Sequence, residues 1–193
     1  PEILEKVALL NSNLANAYAN KGHDHTRLKV FADIHPIILK TKNPQIIRNY
    51  HHRIGSYYYG FNELDKALEH LYKGIFIEED FVYHPSFAGA TEIFIASVYF
   101  KKNQIDSVRK YITIANNIKR AELHSLFNAR IKSLLGLTEA YRGEYEKANQ
   151  LLNEGYQIAT SVPDTSEILY NQFMQARVLV LRKQFAAAIE KYK

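Results

Sequence analysis

A chain of 193 residues, 47% hydrophobic and 23% charged, is long and apolar enough to fold around a substantial core. It has no cysteine, which excludes disulfides, thiolate metal sites and a cysteine nucleophile, and no run of about 18 uncharged apolar residues that could cross a membrane. The net charge of +5 gathers in residues 98–193, with 15 Lys and Arg against 9 Asp and Glu, but they stand singly or in pairs, so direct nucleic-acid binding is not expected.

Only 8 Gly and 5 Pro are present, too few for the turns of a β-sandwich, and Leu, Ala, Lys, Glu, Ile and Asn dominate, so helix is the expected element. In chain order, five segments share one skeleton. The first runs Leu14-Ala15, Tyr18, Gly22, Phe31. The second is Ile54-Gly55, Tyr58, Asn62, Leu64, Ala67, Leu71, Gly74. Next comes Ile95-Ala96, Tyr99, Asn103, Ile105, Val108, Ile112, Ala115. The clearest is the fourth, Leu135-Gly136, Ala140-Tyr141, Gly143, Tyr145, Ala148, Leu152, Gly155, and the last gives Ala176, Leu179, Phe185, Ala188, Tyr192.

The small residues Ala15, Gly55, Ala96, Gly136 and Ala176 act as markers, 40, 41, 40 and 40 residues apart. Independent helices would not keep that spacing; it is the signature of a solenoid of repeats. Each unit reads as a hairpin whose helix A runs from about seven residues before the marker to about five after it. A turn at Gly22, Asn62, Asn103, Gly143 or Lys183 follows, since Gly and Asn tolerate the left-handed backbone that ends a helix. Helix B then carries apolar residues at spacings of three and four, as in Leu64, Ala67, Leu68, Leu71 and Ile75. The marker and a small residue of helix B (Ala67, Ala115, Ala148, Ala188) are expected where the two helices cross, so that a larger side chain costs about 1–3 kcal/mol.

The repeats are bounded at 8–47, 48–88, 89–128, 129–168 and a partial 169–193, in a single domain over 1–193. Because the chain starts at Pro1 without Met and stops at Lys193 within a helical pattern, a fragment of a longer protein is expected. Asn43-Pro44, His84-Pro85 and Pro163-Asp164 fall between helix B and the next helix A, where proline ends the preceding helix. Pro36 lies inside the first helix B and is expected to kink or shorten it.

Few residues suggest chemistry. His23-Asp24-His25 reads as a helix-capping turn rather than a metal site, because no second ligand pair stands at a suitable spacing. His51 and His52 project about 100° apart on one helix and do not readily chelate together. Glu78-Glu79-Asp80 and Glu144-Tyr145-Glu146 read as solvated carboxylates. In Tyr57-Tyr58-Tyr59 the middle ring takes a core position and one of its neighbours should reach the surface. No nucleophile elbow, phosphate loop, dinucleotide fingerprint or His-Glu-x-x-His motif occurs. Neither an enzyme, a metal nor a cofactor is expected.

The skeleton of apolar-Gly/Ala, aromatic, Gly, Tyr, Ala, aromatic or Leu, and Ala resembles the tetratricopeptide repeat family. The resemblance covers almost the whole chain and is strongest around Gly136. It implies an all-α, right-handed superhelical solenoid of antiparallel helix hairpins. Departures are the forty-residue unit in place of 34, Arg27 for the usual Ala, Asp24 for the usual Tyr, and Glu139 for the helix-A aromatic. Units of about forty residues resemble those of bacterial peptide-sensing regulators and of the sensor arms of transcription factors and histidine kinases.

In that family helix A lines the concave groove. The resemblance therefore implies a partner-binding surface of Asn16 and Asn20 in the first unit, then Asn49, His52, Ser56 and Tyr59. Phe100 and Lys101 follow in the third, Arg130 and Tyr141 in the fourth, and Tyr170 and Arg177 in the fifth. This inventory contains no acid and suits a peptide carrying acceptors and negative charge. Ser12, Ser56, Ile93 and Ser97 stand where members that clamp chaperone tails have Lys, Asn, Lys and Arg, so that sub-type is not expected. The implied function is a protein- or peptide-binding sensing module, the regulatory arm of a larger signalling or transcription-regulatory protein. The alternative is a structural scaffold for assembly, with homo-oligomers forming through uncapped ends. A cytoplasmic location is expected, with an extracytoplasmic one left open.

Overall fold

The computed structural model describes residues 6–7, 10, 24–75, 89–117, 125–162 and 165–192. Asn16, Asn20, His23, residues 78–80, His84-Pro85 and Pro163-Asp164 lie outside them. Among the described residues the elements are nine helices and no strand. The chain divides into two compact units, residues 1–84 and 85–193. The first contains α1 (Asp24–Ile38), α2 (Pro44–Gly60) and α3 (Leu64–Ile75). The second contains α4 (Ala90–Lys101), α5 (Ile105–Asn117), α6 (Ser125–Tyr141), α7 (Tyr145–Ser161), α8 (Thr165–Leu181) and α9 (Phe185–Tyr192).

The A–B turn is built four times in the same way. Helix A ends at Gly60, Lys101, Tyr141 and Leu181, each five residues past its marker. Two residues on, Asn62, Asn103, Gly143 and Lys183 take φ of 60°, 56°, 84° and 60°. The N–H after each reaches back five residues: Glu63 to the Tyr58 carbonyl (2.9 Å), Gln104 to Tyr99 (3.0 Å), Glu144 to Glu139 (3.1 Å) and Gln184 to Leu179 (2.9 Å). That bond satisfies carbonyls the helix end would leave open, which is why a left-handed residue recurs there.

The hairpins close on the markers. A Cβ on Gly55 would stand 2.6 Å from Leu71 Cγ and 3.1 Å from the Ala67 carbonyl oxygen. One on Gly136 would stand 2.9 Å from Leu152 Cγ and 3.0 Å from the Ala148 oxygen. In the third unit the residue in the place of Ala67 and Ala148 is Val108, not Ala115 as expected. Ala115 instead matches Gly74 and Gly155, a second small site two turns further along helix B. There a Cβ on Gly74 would meet the Arg48 oxygen and His51 Cβ at 3.5 Å, and one on Gly155 the Ala129 oxygen at 3.1 Å. The hairpins marked by Gly55 and Gly136 are therefore fitted at two levels.

Part of the extra length of the unit becomes helix. Helices α2, α6 and α8 begin at residues 44, 125 and 165, about one turn before the repeat pattern places them. Pro44 opens α2 rather than ending the helix before it. Its missing N–H is harmless in the first turn, and the Asn43 side chain caps that turn by accepting from the N–H groups of Gln45 (3.1 Å) and Ile46 (3.4 Å). Pro36 falls in the last turn of α1, which ends two residues later.

Two of the departures from the family pattern have partners. Glu139, at the aromatic position, is almost fully buried and meets Arg142 (3.3 Å), Lys147 (3.5 Å) and Arg109 (3.6 Å). Tyr99 keeps the aromatic there in the previous repeat and stacks on Tyr111, centroids 5.7 Å apart. The buried Arg27 donates to the Arg53 carbonyl (3.2 Å) and lies over the rings of Phe31 and Tyr57. Neither Tyr57 nor Tyr59 is fully exposed, and Tyr57 packs on Tyr58 and Phe61.

If the marker sets the crossing, Gly55→Ala lowers unfolding free energy in urea by about 1–3 kcal/mol, because the fully buried Leu71 has no room to move aside. Gly60 has nothing within 4 Å of an added Cβ, so Gly60→Ala is neutral or stabilising.

Candidate functional site

In the second unit the predicted residues of three A helices come together. Tyr170 on α8 lies beneath Arg130 of α6, whose guanidinium carbon is 3.4 Å from the ring centroid. About two turns along, Arg177 of α8 donates to the Tyr141 hydroxyl on α6 (3.2 Å) and lies over Phe100 of α4, 5.6 Å from its centroid. Phe173 meets Phe100 edge-on at 6.4 Å and is 37% exposed. Phe100, Arg130, Tyr141, Tyr170 and Arg177 are all half-buried, while Lys101 at the end of α4 is exposed. Beneath this layer Asn171 is buried and donates to Ser133 Oγ (2.8 Å) and the Leu152 carbonyl (3.1 Å), tying α8 to α6 and α7.

One expectation is corrected here: the face contains an acid. Glu167 of α8 takes both sides of the Arg130 fork, with Nε at 2.9 Å and 3.0 Å from its two oxygens and Nη2 also bonded to Oε1. Burial works against the Arg130 cation, but hydrogen bonds to Glu167 and Tyr170 outweigh it and hold its pKa above the ordinary guanidinium value. Arg130 is thus committed within the molecule. Among the described residues Arg177 has no such carboxylate; its contacts are the Tyr141 phenol and the Phe100 ring. Glu167 is three residues before Tyr170, in the turn by which α8 exceeds its expected start. Extending the three-residue spacing of Phe173 and Tyr170 one step further reaches it.

In the first unit Asn49, His52, Ser56 and Tyr59 follow one another at spacings of three and four on α2. Asn49 is buried and the other three are half-buried. Burial, with Arg53 and Arg48 close by, pushes the His52 pKa down to about 4. Burial also lowers His51 to about 4, helped by His70, Lys73 and His35. His51 does not pair with its neighbour His52; its Nδ1 is 3.2 Å from Nδ1 of His70 on α3.

No protein-family profile matches the chain, and no curated protein sequence matches it. Among solved structures, two crystal structures of a Podosopora anserina putative kinesin light chain with nearly identical TPR-like repeats are similar to it. Both are 18% identical to this chain and cover 98% of it and 92% of their own length, with TM-scores of 0.67 and 0.66. The fold is that of tetratricopeptide-like helical repeats.

His51 and His52 also fix a pH dependence. Their folded pKa values lie below the unfolded value of about 6.5, so the unfolded chain takes up protons first as pH falls. Stability should be full above pH 6.5 and decline from there toward pH 4. Thermal unfolding midpoints across that range test it, and His52→Gln should flatten the decline without removing it.

Proposed function

We propose that this chain is an interaction module that holds a peptide or extended protein segment on the A-helix face of its second unit. The observation that carries this reading is the contrast between two arginines on one face. Arg130 is neutralised by Glu167, whereas Arg177 bonds the Tyr141 hydroxyl and lies over Phe100, itself packed on Phe173, with no carboxylate on it among the described residues. A guanidinium so placed has donors left for a charge-assisted pair, and its rings supply apolar area at low entropic cost. The segment that fits has an Asp or Glu next to an apolar side chain. Asn49, His52, Ser56 and Tyr59 form a polar, uncharged counterpart in the first unit. A sensing arm of a larger signalling or transcription-regulatory protein is the setting that the forty-residue unit favours.

A second reading, an assembly scaffold, is favoured by α9. Phe185 and Ile189 there are 59% and 58% exposed, while the equivalents of Phe185 in earlier repeats, Leu64, Ile105 and Tyr145, are half-covered. Light scattering that finds a monomer at every concentration argues against assembly through that face.

Selection from a randomised peptide library on the purified chain tests the first reading. Recovered peptides should carry an acid beside an apolar residue, and Arg177→Ala should weaken them about tenfold or more. Glu167→Gln should not weaken them. If Arg177→Ala leaves affinity intact, the face has been misassigned.

A further inference from the structure

We propose that the α2–α3 hairpin carries a divalent transition-metal site formed by the Nδ1 atoms of His51 and His70. The two nitrogens stand 3.2 Å apart on half-buried rings whose centroids are 5.4 Å apart and whose planes are inclined at 39°. For metal–nitrogen bonds of about 2.0–2.1 Å, two ligands on one ion lie about 2.9 Å apart at a right angle and about 3.4 Å apart at the tetrahedral angle. The observed separation falls between those limits. In the metal-free pair one Nδ1 carries a proton and donates it to the other. Binding displaces that proton to the Nε2 of the same ring and frees a lone pair on each Nδ1; at about 2.0–2.1 Å from both nitrogens the ion stands off the line that joins them.

The rings are held by the fold around them. Tyr50 meets His51 edge-on at 5.2 Å, and Tyr58 lies against His70 at 5.6 Å. The small site at Gly74 lets α3 approach the His51 Cβ. His35 of α1 directs its Nδ1 to the Tyr50 hydroxyl (2.9 Å) and is not counted as a third ligand. Lys73, a cation that acts on both rings, is paired with Glu69 at 2.7 Å, which moderates its repulsion of an incoming ion. Among the described residues no group of three or more His, Cys, Asp or Glu is arranged to hold a metal. Water therefore completes the coordination, and the site favours Cu²⁺, Ni²⁺ and Zn²⁺ over Mg²⁺ or Ca²⁺.

Calorimetric titration of the whole chain with Zn²⁺ at pH 7.5 tests this. The expected result is one ion per chain, with affinity at least tenfold lower in both His51→Gln and His70→Gln and unchanged in His25→Gln. Because those variants can perturb the hairpin, Ni²⁺ is also added to the unaltered protein, where the His51 and His70 ring resonances should broaden first. Absence of saturable Zn²⁺ binding, binding retained in both variants or lost in His25→Gln, or broadening centred on other histidines overturns the site.

Discussion

In the hairpins marked by Gly55 and Gly136, helices A and B meet so closely that there is no room for a Cβ. This contact is the constraint on which the rest of the architecture depends. It fixes the rotation of each helix about its axis, and so decides which residues are turned inward and which are left exposed. The second small site at Gly74, Ala115 and Gly155 holds the same pair two turns further along and makes the crossing a line rather than a point. Gly155 also lies against Asn171, whose amide nitrogen would be 2.8 Å from an added Cβ, so the level that closes one hairpin also seats the next A helix. Packing of this density leaves little tolerance for added volume.

Once the helices are so fixed, electrostatics distributes roles among residues that look alike in composition. The buried Glu139 carboxylate is compensated by three cations from two helices and one turn, at a position where the family pattern has an aromatic. Removing a charge from such a group is a different change from removing a surface ion pair, since the buried partner loses its compensation. Arg130 and Arg177 illustrate the same principle on the exposed side. One is closed by an internal acid, and the other is left with aromatic neighbours. A face with both arginines open would attract anions without discrimination; closing one concentrates the charge at a single place.

Much of this was legible in the residues themselves. The spacing of the markers placed the ends of α2, α4, α6 and α8, and the left-handed positions at Asn62, Asn103, Gly143 and Lys183 followed from it. The starts of α2, α6 and α8 fall about one turn early, while α4 starts close to its expected place; at α2 proline reads equally well as the end of one helix or the first turn of the next, and Asn43 decided for the latter. That one turn hid Glu167. The Ala115 assignment failed because alanine fits both small sites; its offset from Ala96 equals that of Gly155 from Gly136, which puts it at the second. His70 could not have been linked to His51 from the sequence, since their meeting depends on the rotation of α2 against α3.

The most direct measurement of the central constraint is a double-mutant cycle between Gly136 and Leu152, read by urea unfolding. Gly136→Ala introduces a methyl group into the space Leu152 fills, and Leu152→Ala empties that space. If the crossing is set by this contact, the double variant is more stable than the sum of the single losses predicts, by about 1 kcal/mol or more. Losses that add to within about 0.5 kcal/mol would show that the two positions do not compete for the same volume, and would contradict the account.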